Sequence, residues 1–168
     1  QYSYDTRLEA WNIVMRNIVP VNPLFGLGPA NYRFYTQLFP IMGWAVQFNS
    51  HNNYVDIIAQ IGFIGLACFL GFFYAIGRLG MKLRKLVPQH GFAHAYTIGA
   101  LAGLAGTLVT GMLGDWVVPF IYNVGLNGFR SSVMGWLFLG GLIAVEQIYL
   151  RQDSEPMPPE VASRYAET

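Results

Sequence analysis

The chain has 168 residues, of which 54% are hydrophobic and 11% are charged, and its net charge is +1. Soluble domains carry about 25% charged residues, so this composition indicates a membrane protein. The nearly neutral charge gives no electrostatic basis for binding nucleic acid, and we expect no such partner. The single cysteine, Cys68, excludes a disulfide or a cysteine-ligated metal site within the chain.

Hydropathy predicts an all-α membrane protein with about three transmembrane helices and an N-terminal extracytoplasmic loop that contains an interfacial helix. Three helices enclose little space, and the chain begins at Gln1 without a signal-peptide pattern. We therefore expect a C-terminal fragment of a larger multi-helix bundle. In chain order, the predicted segments are an extracytoplasmic loop with an amphipathic helix (1–52), a transmembrane helix (53–77), a basic cytoplasmic loop (78–91), a second transmembrane helix (92–114), an extracytoplasmic loop (115–132), a third transmembrane helix (133–150) and a disordered cytoplasmic tail (151–168).

Residues 1–19 are predicted to form a helix that lies on the membrane surface. Thr6 and Glu9 have the spacing of a capping box at a helix start. Apolar side chains then recur with helical spacing at Leu8, Trp11, Met15 and Ile18.

A turn-rich passage, 23–32, follows and contains the pair Gly26-x-Gly28. Such a pair can expose backbone amides to a phosphate, but here it follows no clear strand and lacks a P-loop lysine. A structural turn is the simpler interpretation. Residues 33–50 are rich in aromatics, which is typical of a loop at the level of the lipid headgroups.

The chain changes from polar sequence to a membrane helix at His51. Asn52, Asp56 and Gln60 fall four residues apart and share one helix face, where a carboxylate and two amides should face protein or water rather than lipid. Two interpretations remain open from spacing alone. His51 and Asn52 could cap the helix while Asp56 neutralises an arginine, or these residues could form a functional site.

Basic residues after the first membrane helix set the predicted orientation. They cluster at Arg78, Lys82, Arg84 and Lys85, and the positive-inside rule makes this loop cytoplasmic. The opposite side then carries the polar residues of interest: Arg7, Arg33, His51, Asp115 and Arg130. Asp115 and Arg130 bracket the second outer loop and could pair with each other or face headgroups. Gly99-x-x-x-Gly103 predicts close contact between helices.

The predicted outer side contains no Ser/His/Asp nucleophile pattern and no histidine-rich metal site. It carries one histidine, several arginines and one or two carboxylates, a set that suits group transfer from a phosphate-bearing lipid. Arginine holds a diphosphate through paired hydrogen bonds and stabilises the charge of a leaving group. Histidine, with a reference pKa of ~6.5, can take a proton from an attacking hydroxyl.

Ordered motifs also resemble a known family. They are Arg7-x-x-x-Trp11, Asn22-Pro23-Leu24-Phe25-Gly26-Leu27-Gly28-Pro29-x-Asn31-Tyr32, Ser50-His51-Asn52-x-Tyr54 and Gly62-x-x-Gly65-Leu66. This order is similar to that in the C-terminal half of the O-antigen ligase and polymerase family, multi-helix bacterial membrane glycosyltransferases. The resemblance covers about residues 5–76 and extends more loosely to Asp115 and the third helix.

The resemblance implies a reaction and a location. In the bacterial inner membrane, an acceptor hydroxyl of a saccharide, lipid or protein displaces the diphosphate of a polyprenyl-diphosphate-linked glycan, with inversion and without a metal or other cofactor. His51 matches the catalytic histidine and Arg7 the arginine of the same loop. We expect substrate binding at Arg33, Asp115, Arg130, Asn52, Gly26 and Gly28. Further carrier-binding arginines of the family would precede residue 1.

The sequence also leaves open a non-enzymatic function. Glycine-rich helices and a polar stripe on the first membrane helix also fit a non-catalytic subunit of a transporter or assembly scaffold. Within the enzyme class, the sequence does not separate ligation, polymerisation and protein O-glycosylation, and it does not identify the donor glycan, the acceptor or the oligomeric state.

Overall fold

A computed structural model of the chain describes residues 2–119 and 121–154. Its regular elements are helices, and the described residues contain no named strand, so the predicted all-α class is confirmed. Three of the helices are long and apolar enough to cross a membrane. The α-helices are α1 (Tyr2–Ile13), α2 (Tyr32–Tyr35), α3 (Asn53–Leu86), α4 (Phe92–Thr110) and α5 (Ile121–Ser154).

The three long helices α3, α4 and α5 pack against one another. Two buried apolar clusters join them, one formed by Phe73, Leu104, Val117 and Leu139 and the other by Leu83, Val87, Ala100, Leu142 and Val145. The ring of Phe138 on α5 lies within van der Waals distance of the space beside Gly99 and Gly103. The close helix contact predicted from these two glycines is therefore present.

The ends of the long helices differ from the predicted ones. α3 continues to Leu86 instead of ending at residue 77, because the basic segment contains no proline before Pro88. Lys82 Nζ in this extension bonds Glu146 Oε1 of α5 at 3.0 Å. α4 ends at Thr110, four residues before the predicted boundary. Residues 155–168, most of the predicted tail, lie outside the described residues.

The predicted loop 115–132 is also shorter in the structure. α5 begins at Ile121, within the predicted loop, and it contains a break at Gly125, where φ is +61° and ψ is −169°. A glycine adopts this conformation without steric cost, so helix continues on both sides of it.

At the N-terminus, helix α1 starts at Tyr2, before the predicted cap. Thr6 lies inside the helix, so the capping-box prediction is wrong, and Glu9 Oε2 instead accepts a hydrogen bond from Met42 N at 3.2 Å. The buried face runs through Ala10, Val14 and Ile18, whereas Leu8 and Met15 of the predicted stripe are exposed. Packing against Ile58 and Ala59 of α3 determines which face is covered.

Helix α3 is broken at Gly62, where φ is +71° and ψ is −173°. Residues 23–28 lie against the break and replace the missing helical hydrogen bonds: Leu27 N donates to Ala59 O at 2.9 Å, Gly28 N donates to Gln60 O at 2.9 Å, and Phe63 N donates to Pro23 O at 2.9 Å. A broken helix at membrane depth needs such protein partners for its freed backbone groups. The loop before His51 is thereby fixed to the membrane helix.

Replacing Gly62 with alanine should destabilise the protein. A Cβ at this position would lie 2.1 Å from Leu24 O, and the positive φ adds a cost of about 1–3 kcal/mol. We expect Gly62→Ala to lower the thermal unfolding midpoint of the detergent-solubilised protein. Gly71→Ala is the matched control, because Gly71 lies on the same helix and no atom comes within 4 Å of its added Cβ. Equal midpoints for the two variants would contradict the role assigned to the break.

Candidate active site

The start of α3 fastens the connection between α4 and α5. Asn53, which is fully buried, accepts hydrogen bonds at Oδ1 from Val117 N (3.0 Å) and Val118 N (3.3 Å), and its Nδ2 donates to Val118 O at 2.9 Å. Asn53 N donates to Gly111 O at 2.8 Å. The loop that carries Asp115 is therefore held against the residues that follow His51.

His51 stands immediately before the helix cap. Asn52 is the N-cap, and its Oδ1 accepts from Tyr54 N at 3.0 Å. His51 itself has φ +51°, a left-handed conformation that is uncommon for a residue other than glycine. Trp11 Nε1 donates to Ser50 O at 2.6 Å, so the N-terminal helix holds the residue before His51. Trp11, predicted as part of the apolar stripe, thus positions this loop.

The His51 side chain pairs with a buried carboxylate. His51 Nδ1 lies 3.4 Å from Asp115 Oδ2, and the Asp115 side chain is 1% exposed whereas that of His51 is 49% exposed. The hydrogen bond to Asp115 raises the pKa of His51 above its ordinary value; partial burial and the positive charge of Arg7 oppose this shift, and the charges of Asp115 and Asp56 support it. With Nδ1 engaged, Nε2 is the nitrogen that can exchange a proton with a ligand.

Arg7 reaches the same loop from helix α1. Its Nη1 donates to Leu113 O at 3.0 Å, two residues before Asp115, and its charge acts on His51. The bond to Leu113 uses one of the five N–H groups of the guanidinium. The structure therefore brings together Arg7, His51 and Asp115, which are far apart in sequence.

Behind this group lies a buried hydrogen-bond network centred on Asp56 in the first turn of α3. Ser50 Oγ donates to Asp56 Oδ1 at 2.7 Å, and the Tyr32 hydroxyl donates to the same oxygen. Ser50 N also donates to the Tyr32 hydroxyl oxygen at 3.2 Å. Asp115 lies close enough for its charge to act on Asp56. Asp56 thus bonds a tyrosine and a serine rather than the arginine that the simpler interpretation expected.

The remaining predicted site residues have varied surroundings. Asn52 serves as the helix cap. The amides of Gly26 and Gly28 donate to Asn22 O (2.8 Å) and Gln60 O (2.9 Å), so both are occupied by the chain itself. The Arg33 guanidinium lies 4.9 Å from the centre of the Phe34 ring, directly after Tyr32 in sequence. Arg130 is exposed on α5, five residues beyond its break at Gly125.

The sequence did not assign a site role to Trp11, Tyr32 or Ser50, and it left open whether Asp56 has one. The signal for Asp56 was a carboxylate on an otherwise apolar helix. Tyr32 was marked only as the last residue of a motif, because its hydroxyl reaches Asp56 only after residues 23–28 fold against α3. Within residues 2–119 and 121–154, no group of three or more His, Cys, Asp or Glu side chains is placed to hold a metal ion.

The contribution of Asp115 to the ionisation of His51 can be measured. Diethyl pyrocarbonate acylates neutral imidazole, so its rate of reaction rises with pH through the pKa of the histidine. Asp115→Asn removes the negative charge that favours the imidazolium, and we expect the midpoint for His51 to move to lower pH. Mass spectrometry of digested peptides reports His51 separately from the exposed His90, whose midpoint serves as the internal control. An unchanged His51 midpoint would contradict the contact.

Comparison with known proteins bears on residues 1–70, which match the family model described as O-Antigen ligase. This match confirms the resemblance seen in the sequence motifs, and it contains Arg7, His51 and Asp56. It supports an O-antigen ligase- or polymerase-like membrane function and a glycosyltransferase- or ligase-like enzyme. No curated protein and no solved structure matches the chain.

Proposed function

We propose that this chain carries catalytic residues of an inner-membrane glycosyltransferase that moves a glycan from a polyprenyl diphosphate to an acceptor hydroxyl on a saccharide, lipid or protein in cell-surface polysaccharide assembly. One observation carries the proposal: a half-exposed histidine is paired with a buried carboxylate beside an arginine, at one end of a three-helix membrane bundle. The family match over residues 1–70 supports the same reaction class.

His51 acts as the general base. The acceptor oxygen attacks the anomeric carbon, its proton passes to His51 Nε2, and the bond from the anomeric carbon to the diphosphate oxygen breaks with both electrons leaving on the diphosphate. Asp115 holds Nδ1–H and stabilises the imidazolium as it forms. A single displacement of this kind inverts the anomeric centre and proceeds through the chain's own groups.

Arg7 serves as a clamp for the diphosphate. A guanidinium offers two parallel N–H groups to phosphate oxygens and stays charged throughout the reaction. Because Arg7 is tied to Leu113 in the loop that carries Asp115, it is held near His51 without contacting the reacting proton. The negative charge that grows on the leaving diphosphate is then met by a cation already in position.

The basic cluster supports an extracytoplasmic location for the site. α3 begins next to His51 and ends with Arg84 and Lys85, so the histidine and the basic segment lie at opposite ends of one helix. By the positive-inside rule the basic end faces the cytoplasm. The N-terminal loop then faces the extracytoplasmic side of the inner membrane, and the C-terminus faces the cytoplasm.

A purely structural subunit explains this end of the bundle less well. The hydrogen bonds of Asn53 and Asp56 would stabilise a scaffold protein equally well. A scaffold, however, does not require a half-exposed imidazole whose Nδ1 is paired with a buried carboxylate. That arrangement is the one that general base catalysis needs.

His51→Ala in the full-length protein should reduce glycan transfer by about 10²- to 10⁴-fold, the usual contribution of general acid–base catalysis. The measurement is transfer of a polyprenyl-diphosphate-linked glycan to acceptor in membrane vesicles, with protein quantity matched by immunoblot. His90→Ala is the control, since His90 is exposed at the other end of α3. Normal transfer by His51→Ala would remove the proposed chemistry.

Arg7→Lys should also impair transfer, because lysine keeps the charge but loses the paired N–H geometry. We expect a lower kcat/KM for the donor in the same assay. Arg16→Lys is the matched control, because Arg16 is exposed on the segment that continues α1. If the Arg7→Lys and Arg16→Lys enzymes both transfer glycan at the parental rate, Arg7 does not bind the diphosphate through paired guanidinium N–H groups.

A further inference from the structure

Asp56 is a fully buried carboxylate on which separate chain segments converge. It accepts from Tyr32 of the α2 segment and from Ser50 of the loop before α3, and the charge of Asp115 in the α4–α5 connection acts on it. Burying a carboxylate is costly unless it is well hydrogen-bonded, so an apolar residue would fill this position at lower cost if packing were its only role.

We propose that Asp56 is a positioning residue which, through Tyr32 and Ser50, fixes the backbone that carries the imidazole of His51 for proton transfer. The inference rests on the proposed function, since it concerns the same reaction. It adds a residue that touches neither donor nor acceptor.

The geometry gives Asp56 two connections to His51. The first runs through Ser50, whose Oγ bonds Asp56 Oδ1 and also accepts from Asn52 N at 3.1 Å. These contacts hold both neighbours of His51, which itself has a left-handed backbone conformation. The second is electrostatic, because the charges of Asp56 and of Asp115, whose Oδ2 lies 3.4 Å from His51 Nδ1, both act on the ring. Asp56 therefore constrains the backbone from which the imidazole extends and contributes to the charge around it.

Asp56 also contributes to the charge balance at the imidazole. Three charged groups act on His51: Asp115 and Asp56 favour the protonated ring, and Arg7 opposes it. When His51 takes the acceptor proton, the positive charge forms in front of two carboxyl groups that were ordered before the reaction. Groups held in place in this way need no reorganisation as charge develops.

The test is Asp56→Asn in the full-length protein, assayed for transfer in vesicles across a range of pH. The amide retains an oxygen acceptor but loses the charge. We expect kcat to fall by about 10- to 100-fold, as for a small misplacement of a catalytic group, with little change in KM for the donor. The acid limb of the kcat profile should move to lower pH, because His51 loses a group that favours its protonated form. Tyr32→Phe, which keeps Asp56 but removes one of its donors, should lower kcat in the same direction by a smaller factor.

Tyr54→Phe is the matched control. Tyr54 lies in the same helical turn, and its hydroxyl donates to Leu108 O at 2.6 Å, so the variant loses one hydrogen bond to a neighbouring segment outside the Asp56 network. We expect Tyr54→Phe to keep the parental acid limb. If Asp56→Asn does not fold, the kcat of Tyr32→Phe compared with that of Tyr54→Phe decides the question, and equal values would overturn the positioning role.

The outcomes separate this inference from the proposed function. An Asp56→Asn enzyme with parental kcat and pH profile, alongside an inactive His51→Ala enzyme, would overturn the positioning role alone. A fall in kcat without any shift of the acid limb would also overturn it, since loss of fold does not alter the ionisation of the surviving molecules. An active His51→Ala enzyme would instead overturn the proposed function.

Discussion

Three buried polar side chains near the start of α3 require hydrogen-bond partners, and the rest of the structure depends on this requirement. Asn53, Asp56 and Gln60 occupy one face of an otherwise apolar helix, and each is at most 3% exposed. Unsatisfied amides or carboxylates at such positions would cost several kcal/mol each. Each therefore binds a different segment: Asn53 the α4–α5 connection, Asp56 the residues around His51, and Gln60, through Oε1, Ala30 N at 2.8 Å. The polar face of one membrane helix thus organises the connections around it.

The same constraint acts on the backbone. At Gly62 the helix gives up internal hydrogen bonds, and residues 23–28 supply replacements from both sides of the break. This exchange draws the segment before Tyr32 against α3, which brings the Tyr32 hydroxyl to Asp56. A local irregularity in a membrane helix is therefore what lets a distant loop contribute to the candidate site. Gly26 and Gly62 are required because their backbones approach too closely for any side chain.

Hydropathy was enough to predict the three long helices, because the cost of exposing backbone in a bilayer leaves few other structures. Helix ends were less predictable. α3 extends through Arg84 and Lys85 because that segment contains no proline. Hydropathy marks where the apolar residues end, and a helix can continue beyond that point. The buried face of α1 was misassigned because the neighbour it packs against, Ile58 and Ala59, is distant in sequence.

The candidate site was likewise only partly predictable from the sequence. Motif order identified Arg7 and His51, but their relation to Asp115 depends on how Asn53 holds residues 117 and 118, a contact between positions more than 60 residues apart. Asp56 was visible as an unusual carboxylate for which one interpretation suggested an arginine partner, and Tyr32 was visible only as the last residue of a motif. Periodicity reports the environment of a residue along its own helix, whereas these roles arise from neighbours supplied by other segments.

The balance of charges at His51 connects the fold to the proposed chemistry. A base that works beside a cationic clamp is disfavoured in its protonated form, and Arg7 has this effect on the imidazole. The Asp115 carboxylate outweighs it, so the clamp and the base can occupy one site. A diphosphate held by Arg7 would add negative charge near the ring and strengthen the base further. Proton transfer would then be most favourable when the donor is in place, and one of the carboxylates that act on the ring, Asp56, is also the side chain that holds Tyr32 and Ser50 on α3.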